Sequence, residues 1–246
     1  MTAAPDAPRF YTEQALASGA ELTLEAGPSR HIASALRLRE GAQLRLFNGE
    51  GGEYLAEVST LDKQAVSVRV GDFFPDDREA PLAITLGIGI SRGERMDLVV
   101  QKSTELGVSA IQPLVTERTE VRLKGEREVK KRRHWQQVAV SACEQSGRNR
   151  VPKIAEPLPL DHWLSRATAD LKLVLHHRNR QGLAEYATPA SIALLVGPEG
   201  GLSGAEIESA ETAGFHPLRL GPRVLRTETA PLAALSILQF HWGDMQ

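Results

Sequence analysis

Polar and apolar residues alternate in short runs in the N-terminal part of the chain. Residues 43–47 alternate in this way, and a turn-forming cluster, NGEGG, follows at 48–52. Residues 53–58 and 65–70 repeat the pattern, which is typical of half-buried strands. The sequence therefore predicts a meander of short strands that forms a small barrel or partly closed sheet over residues 1–72.

A short helix is predicted before these strands and a linker after them. Ser29 is placed to act as the N-cap of a helix over residues 30–38, and Gly41 would end it. Residues 73–81 (FFPDDREAP) contain two prolines, four charged residues and no periodicity. This composition predicts a linker between two domains.

After the linker, apolar runs alternate with helical patterns. Strands are predicted at 82–90, 110–115, 172–176, 192–196 and 217–220, and helices at 92–106, 126–145, 203–214 and 229–242. The helix at 203 begins with a capping box of Ser203 and Glu206. Apolar strands that alternate with helices favour a parallel sheet covered on both faces. Residues 80–246 are therefore predicted to form an α/β domain.

Composition narrows the class of protein. Charged residues make up 24% of the chain and hydrophobic residues 41%, which is ordinary for a globular protein. Cys143 is the only cysteine, so no intrachain disulfide can form, and no spacing of Cys and His indicates a zinc site. No apolar run is long enough to span a membrane, and the N-terminus lacks a signal-peptide pattern. We therefore expect a cytoplasmic protein with no membrane partner and no metal.

The net charge of −2 does not by itself indicate a nucleic-acid partner, but the charged residues are unevenly distributed. Residues 118–133 hold eight basic and three acidic residues. Twenty-two of the 29 basic residues are arginine, the better bidentate ligand of phosphate, although a GC-rich genome that favours arginine codons is the simpler explanation.

Two glycine-rich loops follow predicted strands. GPEGG occupies 197–201 and GPRVLRTETA occupies 221–230. In open α/β sheets, ligands bind at the carboxyl ends of strands, and glycines let a ligand approach the main chain. Neither loop is a dinucleotide or P-loop motif, so these classes of site lack support.

Three strings in this half closely resemble the RsmE family: LLVGPEGGLSGAEI (194–207), LGPRVLRTETAPLAAL (220–235) and EQSGR (144–148). Residues 31–58 and 89–108 also resemble it. The family comprises bacterial enzymes of the SPOUT superfamily that methylate N3 of a uridine in small-subunit ribosomal RNA (rRNA).

The resemblance implies a PUA-like RNA-binding β-barrel followed by an α/β domain with a trefoil knot. It also implies that S-adenosylmethionine (SAM) binds in the knot, that the protein is a homodimer, and that 16S rRNA or the small ribosomal subunit is the substrate. No metal is implied.

The same resemblance implies roles for individual residues. The expected cofactor-binding residues are His176, Val196, Gly197, Glu199, Gly200, Gly201, Leu220, Gly221, Val224, Leu225 and Arg226. Arg226 is also the candidate cation that stabilises charge on the substrate. Glu199 and Glu228 are candidate bases, although a carboxylate beside a turn or before a helix often caps N–H groups instead. Glu144 and Arg148 are expected to face the active site or the partner subunit, or else to pair with each other.

The candidate RNA-binding residues are arginines and a lysine in two places, Arg9, Arg30, Arg37 and Arg39 in the first domain, and Arg118, Arg122 and Lys124 before the long helix. Each by itself is more typical of a solvated surface charge than of a contact, but together they suit phosphate binding. Two further functions remain open at this point. One is methylation elsewhere on RNA, such as a ribose 2′-hydroxyl, and the other is RNA binding without catalysis.

Overall fold

The computed structural model describes residues 6–62, 65–75, 77–176 and 182–245. The chain divides into two compact units. The first comprises residues up to Glu79 together with Cys143–Val151, and the second comprises Ala80–Ala142 and the chain from Pro152 onward. The return of residues 143–151 to the first unit has no local signal in the sequence, because it depends on contacts between distant segments.

The first unit contains a five-stranded sheet. Its strands are β1 (Arg9–Tyr11), β2 (Glu21–Thr23), β3 (Gln43–Phe47), β4 (Glu53–Leu61) and β5 (Val66–Phe74). The order is β1-β3-β4-β5-β2, in which β1 pairs with β3 in parallel and the other pairs are antiparallel. The alternate residues Leu44, Leu46, Val66, Val68 and Val70 are buried in one apolar core. This confirms the small β-rich domain predicted from the alternating pattern.

Two local predictions in this unit are wrong. The helix α1 spans Ala26–Arg30 and continues as a π-helical turn over His31–Ala35, so Ser29 lies inside it and is not its N-cap. Ser29 is buried, and its hydroxyl donates to Leu24 O and accepts from Val66 N. The predicted linker also begins too early, because β5 extends to Phe74.

Arg9 is buried in the first unit, with 9% of its surface exposed. Its guanidinium donates to Glu53 Oε2 at 2.8 Å, Cys143 O at 2.7 Å and Arg148 O at 3.1 Å, and also to the side-chain oxygen of Asn149. The prediction that Arg9 contacts RNA is therefore wrong. Its donors bind the returning segment and are not available to a phosphate.

The second unit is built on a parallel sheet. Its strands are β6 (Ala83–Gly89), β7 (Ala110–Val115), β8 (Lys153–Ile154), β9 (Leu158–Pro159), β10 (Leu171–Leu175), β11 (Ser191–Val196) and β12 (His216–Leu218). The order is β12-β10-β11-β6-β7-β8, with β9 also beside β7, and every pair is parallel. The parallel sheet predicted from the apolar runs is confirmed.

Helices connect these strands. They are α2 (Glu94–Glu105), α3 (Glu126–Ser146), α4 (Leu160–Leu164), α5 (Gly204–Thr212) and α6 (Thr229–Trp242). The predicted stripe of α2 is buried at Met96, Val99 and Val100. At its end, Gly107 has φ +82°, a conformation that glycine adopts without strain. The predicted strands and helices of this unit are confirmed within a few residues, whereas the short elements β8, β9 and α4 were not predicted.

The parallel pairing places the ends of three strands at one edge. β11 lies between β6 and β10, and β12 lies on the other side of β10. The loops that leave β10, β11 and β12 therefore start side by side. The strand order does not by itself test the trefoil knot, which stays a prediction.

Substituting Arg9 should destabilise the first unit. In Arg9→Ala, the buried carboxylate of Glu53 loses one partner and several carbonyl groups lose their donor. We expect a loss of about 3–5 kcal/mol in the free energy of unfolding, measured by urea denaturation. Arg69→Ala is the control, because the Arg69–Glu21 pair is exposed and should contribute at most about 1 kcal/mol. Equal losses in the two variants would show that the buried arginine has no special role.

Candidate active site

The loops at the edge of the parallel sheet enclose a cavity of about 1120 Å³. Its walls come from the ends of β10, β11 and β12 and from the start of α6. Every residue predicted to bind the cofactor lines it: His176, Val196, Gly197, Glu199, Gly200, Gly201, Leu220, Gly221, Val224, Leu225 and Arg226. The structure thus brings these residues together, while their individual roles stay predictions.

The GPEGG loop is a tight turn held by its own main chain. Gly201 N donates to Pro198 O at 2.8 Å. A Cβ atom on Gly197 would lie 2.8 Å from Leu202 N and would displace the backbone. Thr227 Oγ1 donates to Gly197 O at 3.1 Å and so joins this loop to the loop before α6. Side-chain size and a cross-loop hydrogen bond therefore fix the shape of this wall.

The capping box at the start of α5 is present as predicted. Ser203 N donates to Glu206 Oε2 at 2.8 Å, and Glu206 N donates to Ser203 Oγ at 3.3 Å. The other carboxylate oxygen, Glu206 Oε1, accepts from Glu117 N at 2.8 Å. One side chain thus holds both the helix that follows GPEGG and the segment that follows β7.

Glu199 is a hydrogen-bond acceptor in the wall of the cavity. Its Oε1 accepts from Arg92 N at 2.9 Å and from Arg95 Nη1 at 3.1 Å. Partial burial acts to raise the pKa of Glu199, but the backbone hydrogen bonds and the Arg95 guanidinium outweigh it, and the pKa is lowered. An effective base at neutral pH needs a pKa near 7, so these contacts favour a structural role for this carboxylate.

Arg118, predicted to bind RNA, also lines the cavity. Its Nη1 donates to Gly200 O at 2.8 Å. A Cβ atom on Gly200 would lie 3.0 Å from Arg118 Cβ, so the aliphatic part of the side chain lies against this glycine. Arg118 therefore supports the GPEGG loop, a contact that no local sequence pattern predicts.

The second loop leaves several side chains open to the cavity. Leu220 and Leu225 are half-buried, whereas Val224 is 95% exposed. Arg226 is exposed, and within the described residues its guanidinium forms no hydrogen bond or ion pair. Glu228 precedes α6, but its side chain does not cap the helix. Arg226, the predicted cation, and Glu228, one of the predicted bases, thus line the cavity, and in the described part of the chain neither side chain is engaged in the contacts named above.

Glu144 and Arg148 lie in the first unit. Glu144 Oε1 accepts from Tyr11 N at 3.1 Å, and burial raises the pKa of this carboxyl group. The Arg148 guanidinium is 6% exposed and forms an ion pair with Glu79. Both residues therefore stabilise the returning segment 143–151, and a part in catalysis stays a prediction.

The remaining candidate RNA-binding residues are exposed. They are Arg30, Arg37 and Arg39 in the first unit, and Arg122 and Lys124 in the second. Arg30 Nε donates to Ala26 O within its own helix. Exposure is what a phosphate contact requires, so these five stay candidates.

Sequence reasoning missed two residues of this site. Arg95 lies on α2, far from either glycine loop in sequence, and holds Glu199. Thr227 lies within the GPRVLRTETA motif, but the motif predicted no role for its side chain. No local signal identified either one, because both act on a loop that only the sheet brings near.

The cavity suits a flat ring bound by main-chain groups. A Cβ atom on Gly201 or Gly221 would have nothing within 4 Å, so free space lies beside the main chain at both positions. Both glycines have positive φ, +67° and +84°, which other residues rarely adopt. Half-buried leucines beside them can cover the faces of a ring.

Metal binding finds no support among the described residues, where no group of three or more His, Cys, Asp or Glu side chains could hold an ion. His177, the neighbour of His176, lies outside the described residues. In the same part of the chain, no helix has both the length and the apolar character needed to cross a membrane.

Two family models match the chain. An RNA methyltransferase domain matches residues 78–239, and an RNA methyltransferase PUA domain matches residues 29–71. These matches correspond to the parallel-sheet unit and to most of the small β-sheet. The PUA-like and methyltransferase folds predicted for the two parts are thereby confirmed.

Two relatives that match this chain over nearly its full length share the same name. The chain is 34% identical over 240 residues to ribosomal RNA small subunit methyltransferase E of Buchnera aphidicola subsp. Schizaphis graminum, covering 97% of this chain and 98% of the relative. It is 31% identical to the protein of that name from Bacillus subtilis, covering 93% of each.

A solved structure agrees with this assignment. The chain is 41% identical to the ribosomal RNA small subunit methyltransferase E of Neisseria gonorrhoeae, whose crystal structure is bound to SAM. The similarity covers 98% of this chain and 100% of that one, with a TM-score of 0.94. On the sequence, the fold and these relatives, the chain belongs to the ribosomal RNA small subunit methyltransferase E family.

Proposed function

We propose that this protein transfers a methyl group from SAM to small-subunit rRNA. The observation that carries the proposal is the cavity, which the GPEGG and GPRVLRTETA loops line together. The names of the relatives support the substrate, and the SAM-bound structure of the Neisseria gonorrhoeae relative supports the cofactor. An rRNA substrate also supports the cytoplasmic location expected from the sequence.

The residues around the cavity fit SAM. The space beside the main chain at Gly201 and Gly221 leaves room for the adenine, and Leu220 and Leu225 can pack on its faces. When bound, SAM supplies a methyl group on a positively charged sulfur, ready for attack by a nucleophile. The resemblance to the RsmE family supports N3 of a uridine as that nucleophile.

The chemistry of uracil defines what the protein must do. N3 carries a proton at neutral pH, and removing it leaves negative charge on the ring. We assign the Arg226 guanidinium to stabilise this charge, because it faces the cavity and stays protonated. Glu228 is the better candidate for the base, because hydrogen bonds lower the pKa of Glu199. The side chain of Glu228, in contrast, does not cap the helix that follows it.

The proposed homodimer is supported by the last helix. Ala234, Leu235 and Leu238 on α6 are buried. On another stripe of the same helix, Ile237 is 41% and Phe240 is 64% exposed. A helix that is apolar on all sides is normally covered on all sides, so we propose that a second copy of the chain covers this stripe.

The function is tested by methyl transfer. Purified protein is incubated with labelled SAM and with small ribosomal subunits, or their free rRNA, that lack the modification. The nucleosides are then released by nuclease digestion and identified by mass spectrometry. We expect N3-methyluridine. A 2′-O-methylated nucleoside would move the target to the ribose, and no transfer by a folded, SAM-binding protein would favour RNA binding without catalysis.

Arg226→Ala should lower the rate of methyl transfer without unfolding the protein. Loss of a group that stabilises developing charge costs roughly 10²–10³-fold in kcat. The measurement is single-turnover methyl transfer, with circular dichroism to verify the fold. Arg226→Lys should retain part of the rate, and Arg166→Ala, an exposed charge away from the cavity, should retain all of it. Near-normal turnover in Arg226→Ala would remove this residue from the mechanism.

Arg118→Ala should weaken SAM binding by releasing the Gly200 carbonyl. One lost hydrogen bond corresponds to about 1 kcal/mol, or roughly a fivefold increase in Kd. Isothermal titration calorimetry measures it. The matched control is Arg122→Ala, because Arg122 is exposed and, within the described part of the chain, forms no hydrogen bond or ion pair. An unchanged Kd in Arg118→Ala would show that the loop keeps its shape without this contact.

Phe240→Glu should convert the dimer to a monomer. The introduced charge would be buried without a partner in the proposed interface, at a cost of several kcal/mol. Sedimentation velocity measures the mass. Val129→Glu places the same charge on an exposed valine of α3 and should leave the mass unchanged. If Phe240→Glu remains a dimer, the interface lies elsewhere.

A further inference from the structure

A second concave surface lies along the first half of α3, outside the proposed active site. It has a volume of about 560 Å³. Its lining residues are Glu126, Arg127, Lys130, Lys131 and His134. Residues at spacings of one, four, five and eight positions share one face of a helix, so these five form a single groove wall. We call this surface the α3 groove.

The α3 groove is positively charged and open. Three of its five residues are cations at neutral pH and one is a carboxylate. Arg127 is exposed and, within the described residues, forms no hydrogen bond or ion pair. Lys130 is exposed and lies 3.7 Å from Glu126 Oε2, which is a weak surface pair. At least two cations are therefore available to bind an anion.

The wall of the α3 groove is held in place by α2. Asp97 on α2 accepts from His134 Nε2 at 2.8 Å and from Trp135 Nε1 at 3.0 Å. Lys131 Nζ lies 3.6 Å from the same carboxylate, and Trp135 is buried. These contacts fix the position of the helix, so the exposed cations project from a rigid support.

Positive charge is concentrated at the start of α3. Residues 127–133 contain five cations within the first two turns of α3. Two of the five have partners within the fold, since Lys131 pairs with Asp97 and Arg132 with Glu156. The partial positive charge at the start of a helix makes a cation in the first turn unfavourable, and Arg127 lies there beside Glu126 and Glu128. The remaining cations leave a surplus of positive charge that is open to an anionic ligand.

The chain that leads into α3 extends the same charge. Arg122 and Lys124 are exposed and, in the described part of the chain, have no ion-pair partner. Together with Arg127 and Lys130 they form a run of cations on consecutive segments of one unit. A run of this kind matches the regularly spaced charges of a polyanion better than it matches a single small anion.

We propose that the α3 groove binds the phosphate backbone of the RNA substrate, with Arg127 and Lys130 as direct phosphate contacts. The proposal rests on the proposed function, because it takes the ligand to be the rRNA that the enzyme methylates. The groove contributes affinity and not sequence recognition, since phosphate contacts are the same at every nucleotide. It places an RNA contact on α3 of the methyltransferase unit, in addition to the exposed arginines of the PUA-like unit.

The test is a double variant that removes two charges and preserves the helix. Arg127→Gln with Lys130→Gln suits this purpose, because glutamine has a similar helix propensity. The control is Lys153→Gln with Arg166→Gln, which removes two exposed charges of the same unit that do not line the groove. Small ribosomal subunits that lack the modification are the probe, and binding and KM are measured over a range of KCl concentrations at fixed Mg²⁺.

We expect the groove variant to raise the KM for subunits roughly tenfold and to make the slope of log K against log salt less negative by about one per lost contact. The Kd for SAM, measured by calorimetry, should be unchanged. The control variant should match the wild type in all three quantities.

Three outcomes would overturn the proposal. These are a wild-type salt slope in the groove variant, an equal effect in the control variant, or a parallel loss of SAM affinity that indicates damage to the whole unit. Failure of the proposed function is distinguishable, because the wild type itself would then transfer no methyl group. The salt slopes for binding would still decide whether the groove contacts RNA.

Discussion

The candidate site depends on the parallel pairing of three neighbouring strands. β10, β11 and β12 run in one direction, so the loops that leave them begin at the same edge of the sheet. An antiparallel neighbour would send one of these loops to the opposite edge. The cavity, its glycine-rich walls and the residues assigned to catalysis all follow from this common direction.

The GPEGG loop is held by hydrogen bonds from outside the loop. Thr227, Arg118 and Arg95 each hold a different point of the GPEGG loop. Loops that must present main-chain groups to a ligand cannot be buried under large side chains, and hydrogen bonds from outside the loop replace that packing. The arginines of this protein therefore have distinct functions, which can be told apart by how exposed each side chain is and by what it contacts. Arg9 is buried and structural, Arg118 supports a loop, and Arg226 is open to the cavity.

The sequence predicts the second unit better than the first. Strands of a parallel sheet and amphipathic helices leave strong periodic signals, and β7 and α6 lie where these signals place them. In the first unit, β1 and β2 are only three residues long and too short for a periodic signal. Ser29 resembles an N-cap in sequence, but its hydroxyl binds a neighbouring strand. A contact of that kind cannot be inferred from local composition.

The site shows the same division between local motifs and distant contacts. The glycine loops were identified because their motifs are contiguous, and the structure brings them to one cavity. The roles of Arg95 and Arg118 were missed because each acts on a loop more than 80 residues away in sequence. Similarly, an arginine at position 9 is consistent with an RNA contact on the sequence alone, and only the burial of its side chain excludes that role. Motifs therefore locate a ligand, while the residues that support them require the fold.

The double role of Glu206 has a consequence for the dynamics of the edge. Its carboxylate accepts from Ser203 N and from Glu117 N, on segments that are far apart in the chain. Opening the first turn of α5 therefore also releases the segment after β7, and the two belong to one cooperative unit of local unfolding. A ligand that rests on the neighbouring glycine turn would lower the frequency of this opening. Slower amide hydrogen exchange at Glu117 would then report on the occupancy of a pocket that this amide does not line.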